Sequence, residues 1–127
     1  MAFSVRGAIN SLILARLTND SLSSAITKGF QDMNSLTEFE ELNRYVSYMR
    51  QVFRAHITEW RVGGADLDID EFKDRVAQGL MSTVGARQYY LQLGRSLTVN
   101  HQFQRSEELT RIFDEVYEEL EGTPVPK

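Results

Sequence analysis

The segment Asp66-Leu67-Asp68-Ile69-Asp70 sets carboxylates at alternate positions, the spacing at which an EF-hand loop offers its first three calcium ligands. That loop also needs a glycine at its sixth position for the sharp turn and a bidentate carboxylate at its twelfth. Those positions hold Glu71 and Ala77, so the turn and the closing ligand are both missing. The same acids suit a helix start: Asp68 can cap it, Glu71 stands at the capping-box position, and Asp70 and Asp74 lie near its positive end. Of the two histidines, His56 and His101, neither completes a Glu-x-x-His motif, because Phe53 and Thr98 stand three residues before them. His56 and Glu59 sit one helical turn apart, a spacing that more often makes a surface hydrogen bond than a ligand set. His56 also falls on an apolar seam, where protonation would be costly and a contact could become pH-sensitive. The chain has no cysteine, which removes disulfides, thiolate metal sites and thiol nucleophiles. It has no Gly-x-Ser-x-Gly elbow, phosphate-binding glycine loop or His-Glu-x-x-His motif. The carboxylates Glu118, Glu119 and Glu121 read as a solvated helix face. No catalytic residue, metal or cofactor is therefore expected.

The residues that point outward to a partner are arginines and aromatics. Arg44, Arg50, Arg54 and Arg61 decorate one stretch, and Asp114, Glu115, Glu118 and Glu119 another. One reading pairs these two sets across adjacent antiparallel helices, each exposed pair contributing little. The other is a partner-facing stripe, since arginine with tyrosine and tryptophan is the composition of interface anchors. On that reading the interaction residues are Tyr45, Tyr48, Arg50, Arg54, Trp60, Tyr89 and Tyr90.

Helices must position these groups. Apolar residues recur at steps of three and four almost throughout, and no stretch alternates with period two for long enough to make a strand. A first helix is expected over about 4–16, with Val5, Ala8, Ile9, Leu12 and Ile13 on one side. A second, capped near Asn19-Asp20-Ser21, carries Leu22, Ala25, Ile26 and Phe30. The longest is expected over about 37–62, capped by Thr37 with Glu40 at the capping-box position. Along it Phe39, Leu42, Val46, Met49, Phe53, His56 and Trp60 form a heptad-like seam, ended by Gly63-Gly64. If that seam is core, Phe53→Asp unfolds the domain. If it is an interface, only assembly is lost. Asp68 starts a fourth helix with Ile69, Phe72, Val76 and Leu80 inward, and a break is expected at 82–85. A fifth helix carries Tyr89, Tyr90, Leu93 and Leu97. The sixth, about 100–121, turns Phe103, Leu109, Ile112, Phe113, Val116 and Leu120 inward and stops at Gly122. The expected fold is all-α: one domain over 1–122, an irregular bundle of five to six helices around the long central one, with a flexible tail at 123–127. The long helix should pack against the fourth and sixth.

Composition narrows the function classes. The 127 residues are 42% hydrophobic and 25% charged, with both prolines in the last four positions, which fits a single globular helical domain. A formal net charge of −4 lacks the basic surplus of phosphate-backbone binders, so no nucleic acid is expected. The apolar stretch at 8–17 is interrupted by Asn10, Ser11 and Arg16 and falls short of the ~20 residues a bilayer span needs, so no membrane span is expected in this chain. A cytoplasmic location fits the absence of cysteine.

Residues 36–113 resemble an uncharacterised bacterial helical region often found beside a membrane-anchoring segment. The features are Leu36-Thr37, a helix over 38–61, the turn over 63–70, Gly85-Ala86-Arg87, and an inward Phe103 or Phe113. Tyr89-Tyr90 stands where that region often has tryptophan. The resemblance implies an interaction module rather than an enzyme and transfers no catalytic residue. The function expected is thus a non-enzymatic protein–protein interaction or regulatory module, with a protein partner or a homodimer. Two alternatives stand beside it. One is a helical ligand-binding sensor with a pocket lined by Tyr45, Met49, Trp60 and Tyr90. The other is a small inhibitor or effector docking on a larger complex.

Overall fold

The computed structural model describes residues 20–99 and 105–126. The helix expected over 4–16, and His101 and Phe103, lie outside the described residues. Within them the chain is all-α, with five helices and no strand. They are α1 (Asp20–Gln31), α2 (Phe39–Gly63), α3 (Ile69–Arg75, prolonged by a π-helical turn Val76–Leu80), α4 and α5 (Ser106–Glu121). The fourth, α4, runs from Val84–Tyr89 through a second π-helical turn, Tyr90–Gly94, into Arg95–Thr98.

Local chemistry explains most of the boundaries. Asp68 Oδ1 accepts the Glu71 amide at 3.1 Å, capping α3, and Thr83 Oγ1 accepts the Ala86 amide at 3.1 Å, capping α4. Gly122 closes α5 in the left-handed conformation at φ 79°. The expected cap at Thr37 is corrected: Glu38 occupies the cap position of α2 and makes no side-chain capping bond. A 3-10 turn at Met33–Ser35, capped by Asp32, buries Leu36 and delays the helix. Beyond α5, Val125 is partly buried against the core.

Helix α2 is the spine, but its buried face is wider than a heptad seam. Met49, Phe53, His56 and Trp60 are buried as expected, and so are Tyr45, Tyr48, Val52 and Ile57. The extra breadth arises because α2 is packed by α1 on one side and by the other helices on the next. Phe39, the first residue of the expected seam, is 79% exposed, and Leu120 of α5, expected inward, is also exposed. Phe53 sits at the centre, its ring 5.1 Å from Tyr89, 6.1 Å from Tyr90 and 5.8 Å from Phe113. Trp60 packs on Phe72 at 5.3 Å, so rings join α2 to α3 and α5.

Two glycines set the close approach of three helices. A β-carbon on Gly29 of α1 would lie inside the Tyr45 ring of α2, and one on Gly85 of α4 would collide with the Gly29 carbonyl oxygen. The break expected at 82–85 is found at 81–83, and only its extension through Gly85 is corrected. Gly85 is helical, and its missing side chain admits the backbone of α1.

Candidate functional site

The seven expected interaction residues separate into two groups. Tyr45, Tyr48, Trp60, Tyr89 and Tyr90 are buried in the core, so the expectation that these rings are exposed anchors is corrected. Large rings are where most apolar area is gained on burial, and this fold spends them inside. The four side chains expected to line a sensor pocket, Tyr45, Met49, Trp60 and Tyr90, are all buried in the core. Arg50 and Arg54 are exposed.

The buried polar atoms of these rings differ in how they are satisfied. The Tyr90 hydroxyl donates to Asp114 Oδ1 at 2.5 Å. Burial first, and then the adjoining Asp114 carboxylate, hold this phenol far above its usual range, so it remains a neutral donor. Burial also raises Tyr45, with a smaller contribution from Tyr89. The Tyr45 hydroxyl and Trp60 Nε1 are buried without a hydrogen-bond partner among the described residues. The face of Trp60 carries the Arg105 guanidinium at 4.1 Å, a cation–π contact. Arg105 holds φ 65°, and its guanidinium donates to the Gly64 carbonyl at 2.8 Å, which ties the start of α5 to the end of α2. His56 Nδ1 donates to the Val52 carbonyl at 2.9 Å, a satisfied helix-face geometry.

Sequence reasoning missed the polar cluster between α4 and α5. Arg95 holds Asp114 with two bonds, Nε to Oδ1 at 3.0 Å and Nη2 to Oδ2 at 2.8 Å, beside the Tyr90 contact. Residues five apart diverge on an α-helix. Across the π-turn, however, the Arg95 amide bonds to the Tyr90 carbonyl, and the two side chains stack toward one carboxylate. Next to them Thr110 Oγ1 lies 3.1 Å from Thr98 Oγ1 and 2.9 Å from the Ser106 carbonyl. A groove of about 400 Å³ opens over this cluster, bounded by Arg95, Val99, Ser106, Thr110, Asp114 and Glu118. Arg95 with Asp114 and Thr98 with Thr110 are engaged with one another, and none is a nucleophile placed against a base. The cluster reads as a clasp between helices.

The outer face of α2 is different. At roughly 100° per residue, Arg44, Arg50, Arg54 and Arg61 fall within about one third of the helix circumference. All four are exposed, opposite the buried stripe. They span about 26 Å at a rise of ~1.5 Å per residue. Arg44 pairs with Glu40 of its own helix at 3.7 Å, and Arg50 stands by the Tyr89 hydroxyl. Among the described residues no ion pair joins Arg50 or Arg54 to a carboxylate. Among the described residues, the expected pairing with the last helix is not made by Arg44, Arg50 or Arg54. Glu115 and Glu119 of α5 take Lys73 at 3.2 and 3.0 Å, Asp114 takes Arg95, and Glu121 takes Arg87 at 2.7 Å. Those cations lie on α3 and α4, between which α5 is laid. Glu59 of α2 likewise pairs with Arg75.

Among the described residues no group of three or more His, Cys, Asp or Glu side chains is placed to hold a metal ion. No helix among them is long and apolar enough to cross a membrane. In comparisons with protein-family models, curated proteins and solved structures, nothing matches this chain.

Proposed function

We propose that this chain is a non-enzymatic interaction module that docks an acidic protein surface on the arginine face of α2. The observation that carries the reading is the concentration of four exposed guanidiniums on one face of one helix, in a chain whose net charge is −4. Among the described residues, intramolecular ion pairs absorb cations on α3 and α4 but leave Arg50 and Arg54 facing outward without a carboxylate. Arginine suits such a task because its planar fork meets carboxylates two bonds at a time. The stripe is bracketed by two of the most exposed large apolar side chains, Phe39 at 79% and Val62 at 63%, which offer desolvated contact at either end. An acidic protein patch is favoured over nucleic acid because the chain lacks the overall basic surplus with which phosphate-backbone binders neutralise a strand.

The test is the double variant Arg50→Glu, Arg54→Glu, compared with the unaltered protein as immobilised bait. Both changes are at exposed positions, so helicity and Tm should stay near those of the parent. Capture of acidic proteins should be salt-sensitive and should disappear in the variant. Equal capture by both proteins at every salt concentration would remove the arginine face from the function.

A further inference from the structure

We infer that the acidic surface docked by the arginine face of α2 is the outer face of α5 on a second copy of this chain. This rests on the interaction reading above and names its partner. Helix α5 turns Glu107, Glu115, Glu118 and Glu119 to solvent around a single cation, Arg111, which lies 3.9 Å from Glu115, and Glu107 and Glu118 make no ion pair among the described residues. The two faces are complementary in sign and of comparable length. Arg44 to Arg61 covers about 26 Å and Glu107 to Glu119 about 18 Å at a rise of ~1.5 Å per residue. Among the described residues, no ion pair joins Arg50 and Arg54 of the one face to Glu107 and Glu118 of the other. Next to the acidic face, the groove beneath Val99 offers apolar wall to an arginine stem or to Val62 of the second copy.

Area sets the strength. One helix face about 26 Å long and ~10 Å wide buries roughly 260 Å² per side, well below the ~800 Å² per partner of a stable complex. A single such contact is weak, and two reciprocal contacts per dimer double the area and still leave it modest. Attraction between exposed charges is also screened within about 10 Å at 0.1 M salt. The association should therefore appear at high protein concentration and low salt, and should fade as salt rises.

The experiment is light scattering of the full chain after size exclusion, across a hundredfold range of concentration, in low and high salt. The mass should rise above one chain only in the concentrated, low-salt samples. A plateau at two chains marks reciprocal closure, and continued growth marks head-to-tail addition. Either is the expected result. Two variants then locate the contact: Arg50→Glu, Arg54→Glu on α2, and Glu107→Arg, Glu118→Arg on α5. Each alone should remain a single chain, because like charges now meet. Mixed in equal amounts they should associate again, since each altered face finds its complement on the other protein. Thermal melting of both variants checks that they remain folded. A parent that stays at one chain in every condition overturns the second copy as partner. If that monomer still captures acidic proteins through Arg50 and Arg54, the interaction reading survives with a foreign partner. If it captures none, both fall together. Failure of the mixed variants to associate where the parent does would overturn the α2–α5 contact.

Discussion

Replacing Gly85 by alanine sets two physical effects against each other, and the sign of the result decides between them. On helix propensity alone, alanine for glycine inside α4 should stabilise by up to about 1 kcal/mol. The packing argues the other way. A β-carbon at Gly85 would collide with the carbonyl group of Gly29, and the Phe30 α-carbon would lie 2.9 Å away. Both are backbone atoms of α1, so no rotamer can relieve the overlap and the two helices must separate. Overpacking of this kind costs roughly 1–3 kcal/mol, toward the upper end when backbone has to move. The net loss should be about 2 kcal/mol, and at ~4 °C per kcal/mol for a domain of this size Tm should fall by about 8 °C. Gly79 provides the control. It is exposed in the π-turn of α3, with nothing within 4 Å of an added β-carbon, so Gly79→Ala should be neutral or raise Tm by a few degrees. Circular dichroism melts with urea titrations of the three proteins make the measurement. A Gly85→Ala variant as stable as the parent would refute the close crossing of α1 and α4.

The two buried tyrosines should respond differently to loss of the hydroxyl. Tyr90→Phe removes a donor to an ionised carboxylate and should cost on the order of 2 kcal/mol, whereas Tyr45→Phe removes a buried hydroxyl without a partner and should be neutral or mildly stabilising. Urea midpoints at neutral pH compare them, and equal losses would contradict the assigned hydrogen bonds. Alkaline stability follows from the same residues. Tyr45 and Tyr90 have folded-state values raised above the ordinary 10.0. Above that pH the unfolded chain gives up protons that the folded chain keeps, so their contribution is complete below pH ~10 and is lost as pH rises further. Each phenol should contribute a slope of about 1.4 kcal/mol per pH unit beyond pH ~10. Burial raises Tyr89 and Tyr117 too, so melting curves between pH 9 and about 11 should steepen with every buried phenol, and Tyr45→Phe should remove one phenol's share of that slope. A flat profile would mean that none of these phenols is held from solvent.

Short-range chemistry was the most legible part of this chain. Asp68 with Glu71 three residues on gave the start of α3, Gly122 gave the end of α5, and the apolar spacing from Leu42 to Trp60 gave α2 to within two residues at each end. Each is a contact between residues close in sequence, governed by cap geometry or by 3.6-residue periodicity. What escaped depends on residues far apart. Gly29 and Gly85 meet because three helices converge, and a lone glycine in a helical pattern reads equally well as a weak point or a break. The bidentate clasp on Asp114 depends on a π-turn that shifts Arg95 under Tyr90, and no α-helical wheel places residues 90 and 95 together.

The division of the interaction residues is more instructive, because the information was present on one helix. Tyr45, Tyr48 and Trp60 were grouped with Arg50 and Arg54 by residue type, as the composition of an interface. Angle separates them. At ~100° per residue, Tyr45 and Trp60 fall near Met49, Val52 and His56, while Arg50, Arg54 and Arg61 fall on the opposite side with Ser47 and Thr58. A helix 25 residues long makes that sorting unambiguous, since small errors in periodicity do not accumulate to half a turn. Composition says that anchors are available, and angle says which of them face water. The arginines pass that second test and the aromatics do not. The surface that remains is one in which charge does the recognising, which is why its partner should be acidic and its binding should weaken with salt.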